Sequence, residues 1–271
     1  MNIAASATAY VFDLGNTRLK YAALDADGRI GEVFAIAHDG EALPADWRTA
    51  LPARFEAAYI ASVASPGLRV ALLDGLTLHC RRCSLARPSA ALAGLRVAYP
   101  DPSMLGIDRF LAMLGARRRG DGPWLVVGIG TAITLDLIDA EGLHHGGRIA
   151  PSPALMREAL HARAAQLPAE GGAFRDFADN TPDALRAGCD GAALALIEAG
   201  LRDAEARLGV CPRLLLHGGG IDALSQLPAL ALRAPALVLE GLAAWAQAMT
   251  TGAGSAIGSA IDSAADTIGP C

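Results

Sequence analysis

Three short glycine turns, each at the exit of an apolar run, set the plan of this chain. They are Asp13-Leu14-Gly15-Asn16-Thr17 after residues 10–12, Gly128-Ile129-Gly130-Thr131 after residues 124–127, and Gly218-Gly219-Gly220 after residues 214–216. A strand ending in glycine and small polar residues can turn its backbone N–H groups toward an anion. The first turn is flanked by Asp13 and Lys20, a carboxylate suited to magnesium and a cation suited to phosphate. Each turn alone is also compatible with a ligand-free hairpin, because Gly-Asn between apolar runs is a common connection. None is a Walker A loop, since Gly-Lys-Ser and Gly-Lys-Thr are absent, and none reads Gly-x-Gly-x-x-Gly.

The segments between the turns alternate in character. Residues 18–24 resume strand periodicity after Asn16, and Asp27-Gly28 marks a second hairpin turn, so the chain opens as a β-meander. Residues 57–63 are a buried strand, and residues 68–76 have helical periodicity. Phe110, Leu111 and Leu114 share one face of a helix over residues 107–118, with Asp108 in its first turn and Arg117-Arg118-Arg119 at its C-terminal end. Strand character returns at residues 124–127 and 133–138, repeating the opening pattern. A helix follows Pro153, another starts at Thr181-Pro182 with Thr181 as N-cap, and a further one starts over residues 222–227. This alternation predicts two α/β halves, placed at residues 1–115 and 116–249, with a flexible Gly/Ala/Ser tail at 250–271.

Composition narrows the function classes. The formal net charge is −5 and the three adjacent arginines are the one dense basic run, so nucleic acid is not the expected partner. Lys20 is the single lysine among 23 basic residues, a bias that a GC-rich genome would produce as readily as function would. The five cysteines form no even framework and read as reduced thiols of a cytoplasmic protein. Cys80-Arg81-Arg82-Cys83, with His79 beside it, lacks the second pair that a structural zinc site uses. His144 and His145 point in different directions on a strand, and His161 and His217 read as core-edge or loop residues. Residues 241–261 carry no charge but are interrupted by Gln247, Thr250, Thr251 and Gly252, so they predict a helix ending near Met249 rather than a membrane span. No secretory signal is expected, because no basic residue precedes Asp13.

Taken in order, Asp-x-Gly-Asn-Thr-x-x-Lys at 13–20, Ala-Ser-Val at 61–63, Gly-Ile-Asp-Arg at 106–109, Gly-Thr-Ala-x-Thr-x-Asp at 130–136 and Gly-Gly-x-Ile at 146–149 resemble type III pantothenate kinase. That family also includes proteins called Bvg accessory factors and falls within the actin-like ATPase and sugar kinase superfamily. The resemblance spans residues 10 to about 245. It implies an α/β fold of two ribonuclease H-like (actin-like ATPase) domains facing an interdomain cleft, and ATP-dependent phosphorylation of pantothenate to 4'-phosphopantothenate, the first step of coenzyme A synthesis.

By the family pattern, ATP lies along Asp13, Leu14, Gly15, Asn16, Thr17, Arg18, Leu19 and Lys20, with Thr131 donating from the second turn and Asp13 placing magnesium on the phosphates. Phosphoryl transfer is mainly positioning and charge neutralisation, which such residues can supply. Pantothenate would lie against Tyr99, Gly106, Ile107, Asp108 and Arg109, with Asp108 the catalytic base and Arg109 holding substrate. The same Asp-Arg pair is otherwise an ordinary surface pair at a helix start. Thr181 matches a threonine through which a neighbouring subunit closes the pantothenate pocket, implying a homodimer with shared active sites.

Two positions depart from the family pattern. Gly128 stands where many members carry an aspartate that holds potassium or ammonium, so no monovalent cation site is expected there. Ala150-Pro151-Ser152-Pro153 replaces the usual Pro-Gly, so that loop should differ in flexibility. Two other functions stand beside this one: an accessory protein that keeps the fold with little catalysis, against which Asp13, Lys20, Asp108 and Arg109 together argue, and a related kinase acting on a sugar, which shares the nucleotide turns but should lack the Gly-x-Asp-Arg segment after Tyr99.

Overall fold

The computed structural model describes residues 8–224, 226–252 and 265–268. Its contacts divide the chain into two compact units: the residues up to Gly120 together with those from Ala236 onward, and Asp121–Pro235.

The first unit is built on a sheet whose strand order is β13-β5-β4-β1-β2-β3, with β13 being Ala265–Ile268. Strands β1 (Ala9–Leu14), β2 (Arg18–Leu24) and β3 (Ile30–Ala37) form an antiparallel meander, and β4 (Phe55–Ser62) and β5 (Cys80–Ala86) continue parallel to β1. One face carries Tyr10, Phe12, Leu14, Tyr21 and Ile60 against Leu68, Leu72 and Leu76 of α1 (Pro66–Thr77), with Trp47 and Leu51 closing that core. Period-two alternation sends the intervening residues of β1 and β4 to the other face, where Tyr59 meets Trp245 of α5 (Leu237–Thr250) edge-on at 6.3 Å between ring centres. Cys80 and Cys83 are buried with their sulfurs 3.4 Å apart.

Helix α5 returns to this first unit, whereas the sequence reading puts it in the 116–249 half. The reason is a glycine-lined crossing with α2 (Ile107–Arg118). A Cβ on Gly241 would stand 1.8 Å from the Leu111 carbonyl oxygen, and one on Gly115 would stand 2.5 Å from the Leu237 carbonyl oxygen. Backbones approach this closely only where both contact positions lack a side chain. At the helix end Arg119 donates through Nε and Nη2 to the Glu240 carboxylate, at 2.8 and 2.6 Å.

The second unit repeats the topology: β8 (Trp124–Ile129), β9 (Ala132–Ile138) and β10 (His144–Pro151) are antiparallel, β11 (Arg213–His217) is parallel to β8 and the short β12 (Leu232–Arg233) is parallel to β11, in the order β10-β9-β8-β11-β12. Leu125, Val127, Ile129, Ile133 and Leu135 form its core with Ala193 and Ile197 of α4 (Thr181–Leu208). Gly209 ends α4 in the left-handed conformation, φ 71°. The segment at 150–153 is not a free loop: β10 runs into α3 (Pro153–Arg163), which Ser152 caps by accepting from the Leu155 N–H at 3.2 Å.

Three expectations are corrected. The helix expected from Asp222 does not start there: Ile221–Ala223 is a 3-10 turn, and Leu224 beyond it is extended. Asn180, not Thr181, is the N-cap of α4, accepting from the Asp183 N–H at 3.0 Å, and Thr181 is the first helical residue. Within the segment read as a tail, Ala265–Ile268 forms β13, antiparallel to β5, while residues 253–264 and 269–271 lie outside the described residues. No helix among the described residues is long and apolar enough to cross a membrane.

Candidate active site

The β1–β2 connection places the first set of candidate residues. Asp13 pairs across the ladder with Lys20 and Leu14 with Leu19, leaving Gly15, Asn16 and Thr17 as the turn, which closes through Gly15 N–H to the Arg18 carbonyl at 3.0 Å. Leu14 and Leu19 are wholly buried in the core, so only their backbone faces the turn, whereas Asn16, Thr17 and Arg18 are exposed. The turn is braced by His38, which sequence reasoning passed over. Its Nδ1 accepts from the Gly40 N–H at 3.1 Å, so Nε2 carries the proton and donates to the Gly15 carbonyl at 3.1 Å, while the His38 N–H donates to the Thr17 carbonyl at 3.0 Å. No sequence spacing could reveal that brace, because it depends on the β2–β3 register.

Asp13 is the electrostatic centre of this unit. Burial pushes its carboxyl up to about 7, Lys20 opposes that shift, and the negative charge of Asp108 adds to it. The mutual influence of Asp13 and Asp108 brings together two residues 95 positions apart in the chain, the first assigned to nucleotide and the second to acceptor. A cation bound at Asp13 would relieve the desolvation that keeps the proton on. Among the described residues no three histidine, cysteine, aspartate or glutamate side chains cluster to hold a metal. A magnesium ion at Asp13 would therefore take most of its oxygens from nucleotide and water.

Asp108 occupies the first turn of α2, half-buried, after Gly106 at the N-cap. A Cβ at 106 would stand 2.7 Å from Asp108 Oδ1, so the glycine leaves room for the carboxylate to fold back beside the helix start. Arg109 is 5% exposed, donates from Nη1 to the Tyr99 hydroxyl at 3.2 Å and lies over its ring at 5.9 Å. Ile107 is buried and anchors the turn. Tyr99, Gly106, Asp108 and Arg109 thus form one neighbourhood, with the guanidinium aimed by Tyr99.

In the second unit Gly130 closes the β8–β9 turn by donating to the Ala132 carbonyl at 2.9 Å, with Thr131 exposed at its tip. The third turn packs on the second: Gly220 N–H donates to the Ile129 carbonyl at 2.9 Å, and a Cβ on Gly218 would stand 2.2 Å from that oxygen. Thr181 is exposed, and the cap beside it is made by Asn180 and Asp183. The neighbouring N–H of Ala173, with Asn180 and Arg175, holds the Asp183 carboxyl low.

The two adjacent histidines take separate structural partners. His144 Nε2 is 3.0 Å from Asp136 Oδ1, with both residues buried. His145 Nδ1 accepts from Arg207 Nε at 3.0 Å, so its Nε2 donates to Asp139 at 2.8 Å. A register shift in β10 between His144 and Gly147 separates them, a detail outside the reach of sequence periodicity.

Comparison with known proteins agrees with this geometry. The profile of type III pantothenate kinase matches residues 10–203. Relatives named type III pantothenate kinase include one from Xanthomonas campestris pv. campestris (strain B100), 54% identical over 88% of this chain and 96% of its own length. Another, from Stenotrophomonas maltophilia (strain R551-3), is 53% identical over the same shares. Among solved structures, a protein described as a Baf family transcriptional activator from Campylobacter jejuni superposes with a TM-score of 0.57 at 20% identity, covering 90% of this chain and 99% of that one. One described as a 2-dehydro-3-deoxygalactonokinase from Sinorhizobium meliloti gives 0.53 at 19% identity, covering 89% and 98%. These two show that the chain shares their fold. Sequence identity over nearly the whole length establishes more: the chain belongs to the type III pantothenate kinase family.

Proposed function

We propose that this protein transfers the γ-phosphoryl group of ATP to the primary hydroxyl of pantothenate, making 4'-phosphopantothenate for coenzyme A synthesis. The observation that carries the reading within the chain is that Asp13 pairs with Lys20 across the β1–β2 ladder, with Asp108 near enough for its charge to raise the Asp13 carboxyl. Asp108 accepts the hydroxyl proton as that oxygen attacks phosphorus, and Arg109, held by Tyr99, binds the pantothenate carboxylate. Gly106 and Ile107 shape the turn beneath the acceptor. Asn16, Thr17, Lys20 and the backbone from Asp13 to Lys20 hold the phosphates, Thr131 adds a hydroxyl, and magnesium at Asp13 neutralises phosphate charge. No potassium or ammonium site is proposed at Gly128. The enzyme is proposed to be a cytoplasmic homodimer in which Thr181 completes the partner's pantothenate pocket.

The test is ADP release by purified protein with ATP, magnesium and pantothenate, repeated in potassium-free buffer. Turnover is expected in both buffers, and Asp108→Ala should lower kcat by about 10²–10⁴-fold, the scale of a lost general base. A wild type without turnover, or a folded Asp108→Ala variant that turns over undiminished, overturns the assignment in favour of a non-catalytic role.

A further inference from the structure

The two units build the roots of their first turns from different strands. In the first unit the row of residues across the sheet reads Ala61, Asp13, Lys20, Ala35. The central strand β1 supplies the charged side chain, and its parallel neighbour β4 supplies alanine. In the second unit the row at the same place, again two residues before the turn glycine, reads His217, Gly128, Thr134, Ile149. Here the central strand β8 supplies no side chain, and its parallel neighbour β11 supplies an imidazole.

That imidazole occupies the space over the glycine. A Cβ on Gly128 would stand 2.9 Å from His217 Nε2, 3.0 Å from its Cε1 and 2.8 Å from Thr134 Oγ1. Any side chain at 128, aspartate included, would have to displace both the ring and the hydroxyl. The ring lies on the face away from α4, since Leu214 and Leu216, which alternate with it, belong to the α4 core. It also stands at a seam. His217 leads directly into Gly218, whose φ of +102° lets the chain pass against Ile129, the residue between Gly128 and the Gly130–Thr131 turn.

We propose that His217 is the positioning residue of the second unit's nucleotide turns. Its ring, seated over Gly128, sets the spacing of residues 129–131 against residues 218–220, and so the placement of Thr131 and Gly219 toward ATP. The inference rests on the ATP reading above. A ring that merely filled space would affect folding without distinguishing the two substrates.

Steady-state kinetics with magnesium-ATP and pantothenate on wild type, His217→Ala, His217→Asn, Gly128→Ala and the Gly128→Ala/His217→Ala double variant test it. His217→Ala should raise the KM for ATP roughly three- to tenfold, the scale of one well-placed hydrogen bond. The KM for pantothenate should stay within about twofold, and His217→Asn should recover part of the loss. Gly128→Ala should also weaken ATP binding, and the double variant should do better than Gly128→Ala alone because removing the ring leaves only the Thr134 hydroxyl, at 2.8 Å, to turn aside for the methyl group. The proposal is overturned if His217→Ala leaves the ATP KM within about twofold of wild type, if both KM values rise together, or if the double variant is no better than Gly128→Ala. Should His217→Ala fail to melt cooperatively, the same criteria apply to His217→Asn, with the rise in melting temperature on adding magnesium-ATP as a second readout. A wild type that neither turns over nor gains stability from magnesium-ATP defeats the kinase reading itself, and this inference with it.

Discussion

Asp13 holds its proton far more tightly in the folded protein than a carboxyl of ordinary pKa 3.8, because packing around it strips away much of its water and Asp108 is nearby. The sign of the consequence follows from linkage. Between about pH 4 and pH 7 the unfolded chain releases a proton that the folded protein keeps, so the contribution of Asp13 to stability falls as pH rises. That cost is absent below this window and complete above it. Asp13→Asn should therefore flatten the pH dependence of the melting temperature across the window and stabilise the nucleotide-free protein at pH 8. Magnesium-ATP should release a proton on binding near pH 6, seen as a buffer-dependent heat that Asp13→Asn abolishes. Identical pH slopes for wild type and variant would show that Asp13 is not the group responsible. At this scale much was legible in the sequence: Asp13, Lys20, Asp108 and Arg109 stand in recognisable short motifs. His38 and His217 were not, because their roles come from ladder register across strands distant in sequence.

At the scale of elements, the α2–α5 crossing is the contact most sensitive to one methyl group. A Cβ at Gly241 would meet backbone, which cannot swing aside as a side chain can. Gly241→Ala should cost about 3 kcal/mol, the upper end of the overpacking range, and lower the melting temperature of the first unit by roughly 5–10 °C. A shift of under about 2 °C would mean that the helices separate without penalty. Because α2 also carries Asp108 and Arg109, activity should fall along with stability. Several helices could be read from periodicity and end signals: α2 lies where its apolar face puts it and α5 ends at Thr250, beside the expected Met249, whereas the full length of α4, which Gly209 stops, was not read from the sequence. Strand β5 was missed because Arg81 and Arg82 break its alternation, a break tolerated because Cys80 and Cys83 both reach the core. The N-cap of α4 was assigned one residue late because Asn180 and Thr181 are both good caps, and Pro182 tolerates either the first or the second helical position.

For the whole molecule, strands β1–β5 of the first unit and the sheet of the second share one order, third-second-first-fourth-fifth, with β13 added beyond β5 in the first, and this accounts for the repeated turn pattern in the chain. The proposed dimer makes a prediction at this scale. Mixed and reassembled Asp108→Ala and Thr181→Ala subunits should regain roughly a quarter of wild-type activity at low pantothenate, since half the dimers are mixed and one site in each is intact. No gain above the separate variants would show that each subunit works alone. The sequence by itself determined the family, the fold class and the motif residues, because these depend on short local patterns and strand-turn chemistry that survive without neighbours. Only the tertiary structure decided that α5 packs with the first unit, that Asp13 and Asp108 share one electrostatic environment, and that an imidazole closes over Gly128. Each of those depends on which distant segments come within a few ångströms of one another, and close packing and ladder register set that, not residue type alone.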